Sequence, residues 1–338
     1  MSDIDVVIMW VDGSDKNWVR EKNKYFGNIL SDSEIDASSN RYRDWDNLQF
    51  IFRGIEKYMP WVRKIHLVTN GQKPYWIDLS SHKINFVKHS DFIPQEYLPT
   101  FSSHPIELNL HRIKGLADKF IFFNDDTFVI SPTEATHFFR DGLPCDQVSL
   151  WRTLAMTYED PMPHIMTNNS AVINQHFDLK ETIKKNPNQW FSMRNSLTNL
   201  ILTATLLPIS RNKIPALYYH HLQQSYLKST FEHVWSAEYK ILDSVCRNRF
   251  RSPRDVSQGV MKYWQIMSGN VSPSNVRHRG HYSSLNGEDL DNVSQIIREQ
   301  KKQLLCLNDA EVEDFQYTKD LIHDAFMHIL PFKSEFEK

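Results

Sequence analysis

The chain has 338 residues, enough to bury a large core in one domain or two. Its 39 Lys and Arg against 41 Asp and Glu leave a formal net charge of −2, so the broad basic field expected of a nucleic-acid binder is missing. Three cysteines, Cys145, Cys246 and Cys306, fit neither a zinc pattern nor a disulfide framework. Asp3 and Asp5 stand where a secretory leader would carry Lys or Arg, and no apolar run approaches the ~18 residues of a membrane span. The expectation is a cytoplasmic protein, held at most to the inner surface of a membrane.

In chain order, Ile4–Val11 is apolar apart from Asp5 and rich in β-branched residues, as in a strand covered on both faces, and ends at the turn Asp12-Gly13-Ser14-Asp15. From Asp46, apolar residues at Leu48, Ile51, Phe52, Ile55 and Met59 predict a helix closed by Pro60. Two more strands follow, Lys64–Gly71 with its Asn70-Gly71 stop and Ile84–Val87. The spacing predicts a helix from His104 to Gly115, and then Lys119–Phe123 runs as a fourth strand into Asn124, Asp125 and Asp126. Strands alternating with helices predict an α/β fold, a mostly parallel Rossmann-like sheet flanked by helices, with a helical C-terminal region. The expected parts are a core over 1–131, an insertion or lid over 132–215 beside the sheet, and a C-terminal part over 216–338.

In open α/β sheets ligands bind beyond the carboxyl ends of the strands, where Asp12, Asn70, Asp125 and Asp126 should converge. Asp12 and Asn70 taken singly are ordinary turn residues. Adjacent carboxylates repel unless a cation or donors offset them, and a hard cation such as Mg²⁺ takes carboxylate oxygen together with substrate phosphates. That favours a metal and phosphate role for Asp125 and Asp126 over helix capping. Leu304–Leu307 runs likewise into Asn308 and Asp309, a cap in isolation and a second contributor to the metal site if the two turns meet. The tandem His220-His221 reads as a polar edge. Arg247, Arg249, Arg251 and Arg254 read either as a solvated basic face that touches anionic lipid or as guanidiniums that fork onto phosphate.

Four blocks together resemble the Stealth family of hexose-1-phosphoryl transferases, which includes bacterial capsule and cell-wall polysaccharide phosphotransferases and the catalytic part of the lysosomal-sorting N-acetylglucosamine-1-phosphotransferase. They are DIDVVIMWVDGSD (Asp3–Asp15), RYRDWDNLQFIFRGIEKYMPWVRKIHLVTNGQKPYWI (Arg41–Ile77) continued by LPTFSSHPIELNLHRIKGLADKFIFFNDD (Leu98–Asp126), the region His221–Arg254 with YWQIMSG (Tyr263–Gly269), and LLCLND (Leu304–Asp309). The resemblance implies a nucleotide-sugar transferase of GT-A-like fold that moves a sugar-1-phosphate from a UDP-sugar, UDP-N-acetylglucosamine first, to a hydroxyl of an oligosaccharide or polysaccharide acceptor, lipid-linked in some settings. UMP is released. It implies Mg²⁺ or Mn²⁺ held by Asp125, Asp126, Asn308 and Asp309, Arg254 on the transferred phosphoryl group, and His221 as general base, with His220 leaving that assignment open by one position. The implied donor contacts are Trp10, Asp12, Gly13, Ser14, Arg41, Arg43, Asp44, Asn47, Asn70, Gly71, Ser102, Ser103, His111 and Arg112. Ile8, Met9 and Ala310 depart from the family pattern. Three rivals remain: a metal-dependent glycosyltransferase releasing UDP, a nucleotide-sugar-binding protein without turnover, and a nucleotide-sugar hydrolase.

Overall fold

A computed structural model describes residues 3–27, 43–153, 161–285, 290–309, 312 and 314–338. Arg41 and Ala310 lie outside them.

Strands β1 (Ile4–Met9), β2 (Ile65–Thr69), β3 (Ile84–Lys88) and β4 (Lys119–Phe123) are parallel, in the spatial order β4-β1-β2-β3. A fifth strand, Gln224–Leu227, runs antiparallel along β4. The sheet explains why these stretches read as mostly apolar runs. Along β1 and β4, Val6, Ile8, Ile121 and Phe123 face one core, while Val7, Phe120 and Phe122 face the other. Both faces are covered, so apolar residues dominate them and the few polar ones, such as Asp5 and His66, are paired.

The first core holds α2 (Leu48–Tyr58) and the helix Phe315–Ile329. The second holds the helices Pro161–His176, Lys228–Ala237 and Gly259–Met267. Within 132–215, Val148, Leu150, Ile173, Trp190 and Ile214 belong to this second core, in one cluster with Val7 and Phe122, while Phe138 and Phe139 belong to the first. That stretch is therefore a layer of the fold, packed on the sheet itself.

After β4 the chain turns at Asn124-Asp125-Asp126 and enters a second sheet as β5 (Thr127–Val129), antiparallel to Leu304–Asn308, which in turn pairs in parallel with Gly280–Ser284. Gly54 of α2 crosses the Val129 carbonyl so closely that a Cβ there would stand 2.5 Å from its oxygen. Only glycine allows that approach.

Two local expectations shift. The helix expected over 104–115 is α3 (Ser103–Leu108) followed by the single 3-10 turn Leu110–Arg112. Asn109 breaks it: its Nδ2 donates to the Pro105 carbonyl at 2.8 Å, a side-chain bond that competes with helix continuation. The strand Gln224–Leu227 gave no alternating signal, because its buried Gln224 is spent on the His220 carbonyl and ring, and the Ser225 carbonyl accepts from Gln265.

Candidate active site

The turn after β1 is built by its own side chains. Asp12 Oδ1 accepts from Ser14 N at 2.8 Å and Ser14 Oγ at 2.6 Å, and Asp15 caps α1 (Lys16–Phe26) by accepting from Asn17 N and Trp18 N. The turn after β2 lies against it. Gly71 there has φ +117°, a conformation that favours glycine. It delivers Gln72, whose Oε1 accepts from Asp12 N at 3.0 Å while its Nε2 donates to the Asp12 carbonyl at 2.8 Å. This clamp brings Asp12, Gly13, Ser14, Asn70 and Gly71 to one corner of the carboxyl edge. Gln72 was missed in the sequence, although it follows Asn70-Gly71 directly. Trp10 joins the same edge and donates from Nε1 to Asp44 Oδ2 at 3.2 Å.

Beside that corner, the two acidic turns meet. Leu307 N donates to the Asp126 carbonyl at 2.9 Å, which sets Asn308 and Asp309 next to Asp125 and Asp126. Asp126 is half-buried and poorly served: Oδ2 takes only the Cys306 thiol at 3.6 Å, and Oδ1, shut off from solvent, has no protein partner. Burial, and then the charge of Asp309, push Asp126 up to about 6. Burial and then the charges of Asp126, Asp44 and Asp309 push Asp125 up to about 8. Asp125 reaches solvent at the mouth, so water screens part of that repulsion, whereas Asp126 is more enclosed. Asp44 is raised as well, by burial and then by Asp46 and Asp12. Asp309 is met by Arg43, whose Nε donates to Oδ2 at 2.9 Å and whose guanidinium rests over the rings of Trp45 and Phe315. Arg43 thus braces an acid of the site.

The site accordingly holds more negative charge than its own donors offset. Among the described residues no three His, Cys, Asp or Glu side chains gather as ligands of one ion. The orphaned Asp126 oxygen beside the Asp125 carboxylate still fits a divalent cation that completes its shell with water and substrate phosphate. Asn47, capping α2, is buried with an unpartnered Oδ1 of its own.

The two adjacent histidines have different surroundings. His220 is buried, its Nε2 3.3 Å from Asp146 Oδ1, which also takes Lys262 Nζ at 3.1 Å. His221 turns outward instead. Its ring lies 5.3 Å from that of Tyr282 and 5.6 Å from that of Tyr219. Tyr282 stands opposite Cys306 in the parallel pairing, and Cys306 is the thiol on Asp126. Although the residue is exposed, the protein packed around its ring, and then the charge of Lys262, hold His221 below the usual imidazole range, so it is a neutral base at pH 7.

Other expected residues sit elsewhere. His111 is a core histidine between Phe231 and Trp235, pushed down to about 3 by burial and then by Arg112 and Lys228, and Arg112 stacks on Trp235. Lys228 follows the strand beside the start of β4, so this pair belongs to the amino end of the sheet. Ser102 caps α3, and Ser103 Oγ accepts from Arg251 at 3.1 Å. Of the four clustered arginines, Arg247 pairs with Asp243, Arg249 lies over Tyr25, and Arg251 holds Ser103. Arg254 is exposed on a turn fixed by buried Asp255, which accepts from Ser252 N at 2.9 Å and contacts His104 Nδ1 at 2.9 Å.

The fold is thus an α/β one, a mostly parallel sheet with acidic turns at its carboxyl edge and helices on both faces. Residues 2–29 match Stealth protein CR1, conserved region 1, and residues 41–145 match Stealth protein CR2, conserved region 2. The chain is 36% identical over 341 residues to the capsular polysaccharide phosphotransferase WcwK of Streptococcus pneumoniae, covering 100% of this chain and 99% of the relative. It is 38% identical over 340 residues to the receptor polysaccharide phosphotransferase WefC of Streptococcus gordonii, covering 99% and 98%. The chain belongs to the Stealth family. Among solved structures it is similar to the galactosyltransferase LgtC in complex with donor and acceptor sugar analogues, at TM-score 0.40 and 10% identity over 98% of each chain.

Proposed function

We propose that the protein transfers a hexose or N-acetylhexosamine 1-phosphate from a UDP-sugar to a hydroxyl of a growing glycan, in the synthesis of a capsular or cell-wall polysaccharide. The acceptor oxygen attacks the β-phosphorus, the bond from that phosphorus to the bridging oxygen breaks, and UMP leaves. The observation that carries this reading is the meeting of Asp125 and Asp126 with Asn308 and Asp309 at the carboxyl edge of the sheet, in a chain at least 36% identical over its length to two polysaccharide phosphotransferases.

The residues present suit that chemistry, which needs charge neutralisation and in-line positioning more than covalent help from the protein. Asp125 and Asp126 would hold Mg²⁺ or Mn²⁺, which supplies neutralisation of the diphosphate and of the departing UMP. The Asp12 turn, fastened by Gln72, and the Trp10–Asp44 pair form the wall for the nucleotide sugar. His221, neutral and next to Tyr282, takes the proton of the acceptor hydroxyl. Arg254, on its fixed turn, is the residue for the transferred phosphoryl oxygens. UDP-N-acetylglucosamine is the first donor to try, and a cytoplasmic setting, where nucleotide sugars are made, suits the three buried free cysteines.

The test is to incubate the protein with Mg²⁺, a panel of UDP-sugars and a cell-wall oligosaccharide extract, and to identify the released nucleotide. Acceptor-dependent UMP is expected. UDP would mean that the sugar moved without its phosphate, and UMP release unchanged by omitting the acceptor would mean hydrolysis.

A further inference from the structure

The helix Leu197–Leu206 is inside out. Its inward side is polar: Asn199 and Thr203 are fully buried, Thr203 Oγ1 accepts from Leu150 N at 3.1 Å, and Ser149 Oγ donates to the Asn199 carbonyl at 3.2 Å. Its outward side carries large apolar residues beside exposed Thr198 and Thr205. Leu197 is 68% exposed and Ile201 57%, and their spacing of four puts them on one face. The chain on either side continues the pattern, with Met193 85% and Ile209 73% exposed and Phe191 outward as well. Of eleven large apolar side chains exposed among the described residues, these five fall within residues 191–209, so the exposure is one patch and not scatter.

Charge narrows what covers it. Residues 182–231 contain no Asp or Glu, in a chain whose acids outnumber its bases. Lys184, Lys185, Arg194 and Arg211 are exposed in that stretch, Lys184 with Glu181 3.9 Å away, and Arg194 and Arg211 lie in the segments that flank the helix in the chain. A second copy of the chain docked through the same patch would bring these cations against each other, because a two-fold contact repeats the same surface on both sides. A surface that is itself anionic and accepts apolar side chains avoids that repulsion. Helices with an apolar face and a basic surround lie in the boundary layer of anionic membranes.

We propose that the outward face of Leu197–Leu206, with Met193 and Ile209, lies on an anionic lipid surface and seats the protein there. The reading of this face does not depend on which bond the enzyme breaks.

The test is sedimentation of the full-length protein with vesicles of phosphatidylglycerol and phosphatidylcholine, against vesicles of phosphatidylcholine alone. The protein should pellet with the anionic vesicles, more weakly as salt rises, and poorly with the neutral ones. The double variant Leu197→Ser, Ile201→Ser changes only exposed positions, and its unchanged melting temperature would certify the fold. Its partitioning should fall about tenfold. Arg194→Ser with Arg211→Ser should lower partitioning to anionic vesicles by about tenfold and hardly change that to neutral ones. Wild-type protein left in the supernatant, or serine variants that pellet as well as wild type, would overturn the proposal. So would a concentration-dependent dimer, seen by light scattering without vesicle binding and lost in the same double variant, which would give the face to a second copy.

Discussion

Two carboxylates at opposite ends of the same sheet have opposite fates. At the amino end of β1, Asp5 is fully buried and completely served: Arg63 donates to it at 2.8 and 2.6 Å, Ala117 N at 2.8 Å, and His66 Nε2 lies 3.0 Å away. Burial alone would raise it, but the bonds from His66, Arg63 and Ala117 outweigh that and bring it down to about 2. At the carboxyl end, beyond β4, Asp126 has one thiol and acidic neighbours, and rises to about 6. Charge is neutralised where the sheet needs stability and left unbalanced where a ligand is to bind. Such frustration is what functional sites accept at the expense of stability.

The largest effect that tests this contrast is on turnover. Asp126→Asn keeps shape and volume but removes the charge, and UMP release should fall about 10³-fold or more with the circular dichroism spectrum unchanged. Near-normal turnover would remove Asp126 from the site. At the opposite end the ranking reverses. Asp5→Ala leaves Arg63 and His66 without their shared anion and should cost roughly 3–5 kcal/mol of stability, read from urea unfolding, with turnover per folded molecule preserved. The depressed pKa adds a pH signature: since Asp5 is ionised in the folded state at pH values where an unfolded Asp takes a proton, its stabilisation is present above about 4 and lost as pH falls from 3.8 towards 2. The variant's acid transition should be shallower over that window.

The sequence was legible where one principle acted alone. The short, mostly apolar runs at β1, β2 and β4 read as strands covered on both faces, and Gly71 marked a turn that the backbone indeed takes at positive φ. It was illegible where distant residues decide. Gln72 reads as an ordinary polar residue until its clamp on Asp12 is seen, and a helix such as Leu197–Leu206 gives the same apolar count whichever face looks inward. The histidine pair could not be resolved because Asp146 and Lys262, which draw His220 inward, lie 74 residues before it and 42 residues after it in the chain. His111 and Arg112 matched a family block but are held by Phe231 and Trp235, packing that no local pattern announces.

The outward histidine supplies the next effect. His221→Gln should lower kcat by about 10²-fold or more, in keeping with loss of a general base. Because burial and Lys262 depress the wild-type imidazole, the protonated, inactive form accumulates only below its ordinary value of 6.5, so the acid limb of the rate profile should lie under that pH and disappear in the variant. His220→Gln should instead lower thermal stability, since it leaves Asp146 short of a buried partner. If His220→Gln removed the acid limb and His221→Gln retained it, the two roles would be exchanged.

The smallest effect is also the one that tests the comparison most directly. If Asp126 is frustrated in the metal-free protein, then Asp126→Asn should stabilise it, contrary to the usual outcome of removing a half-buried polar group. The sign follows from proton counts. Between pH 3.8 and about 6 the folded wild type retains a proton on Asp126 that the unfolded chain has released, so folding loses stability as pH rises through that window and stays at the lower level above it. The asparagine variant has no such proton to lose. In EDTA its melting temperature should therefore equal wild type near pH 4 and exceed it by about 2 °C at pH 8. Adding Mg²⁺ at pH 8 should raise the wild type and leave the variant unmoved, because an ion that binds the folded state alone stabilises only the protein that binds it. A variant less stable than wild type at pH 8 in EDTA would mean that Asp126 is satisfied in the free protein, and the contrast between the two ends of the sheet would then rest on Asp5 alone.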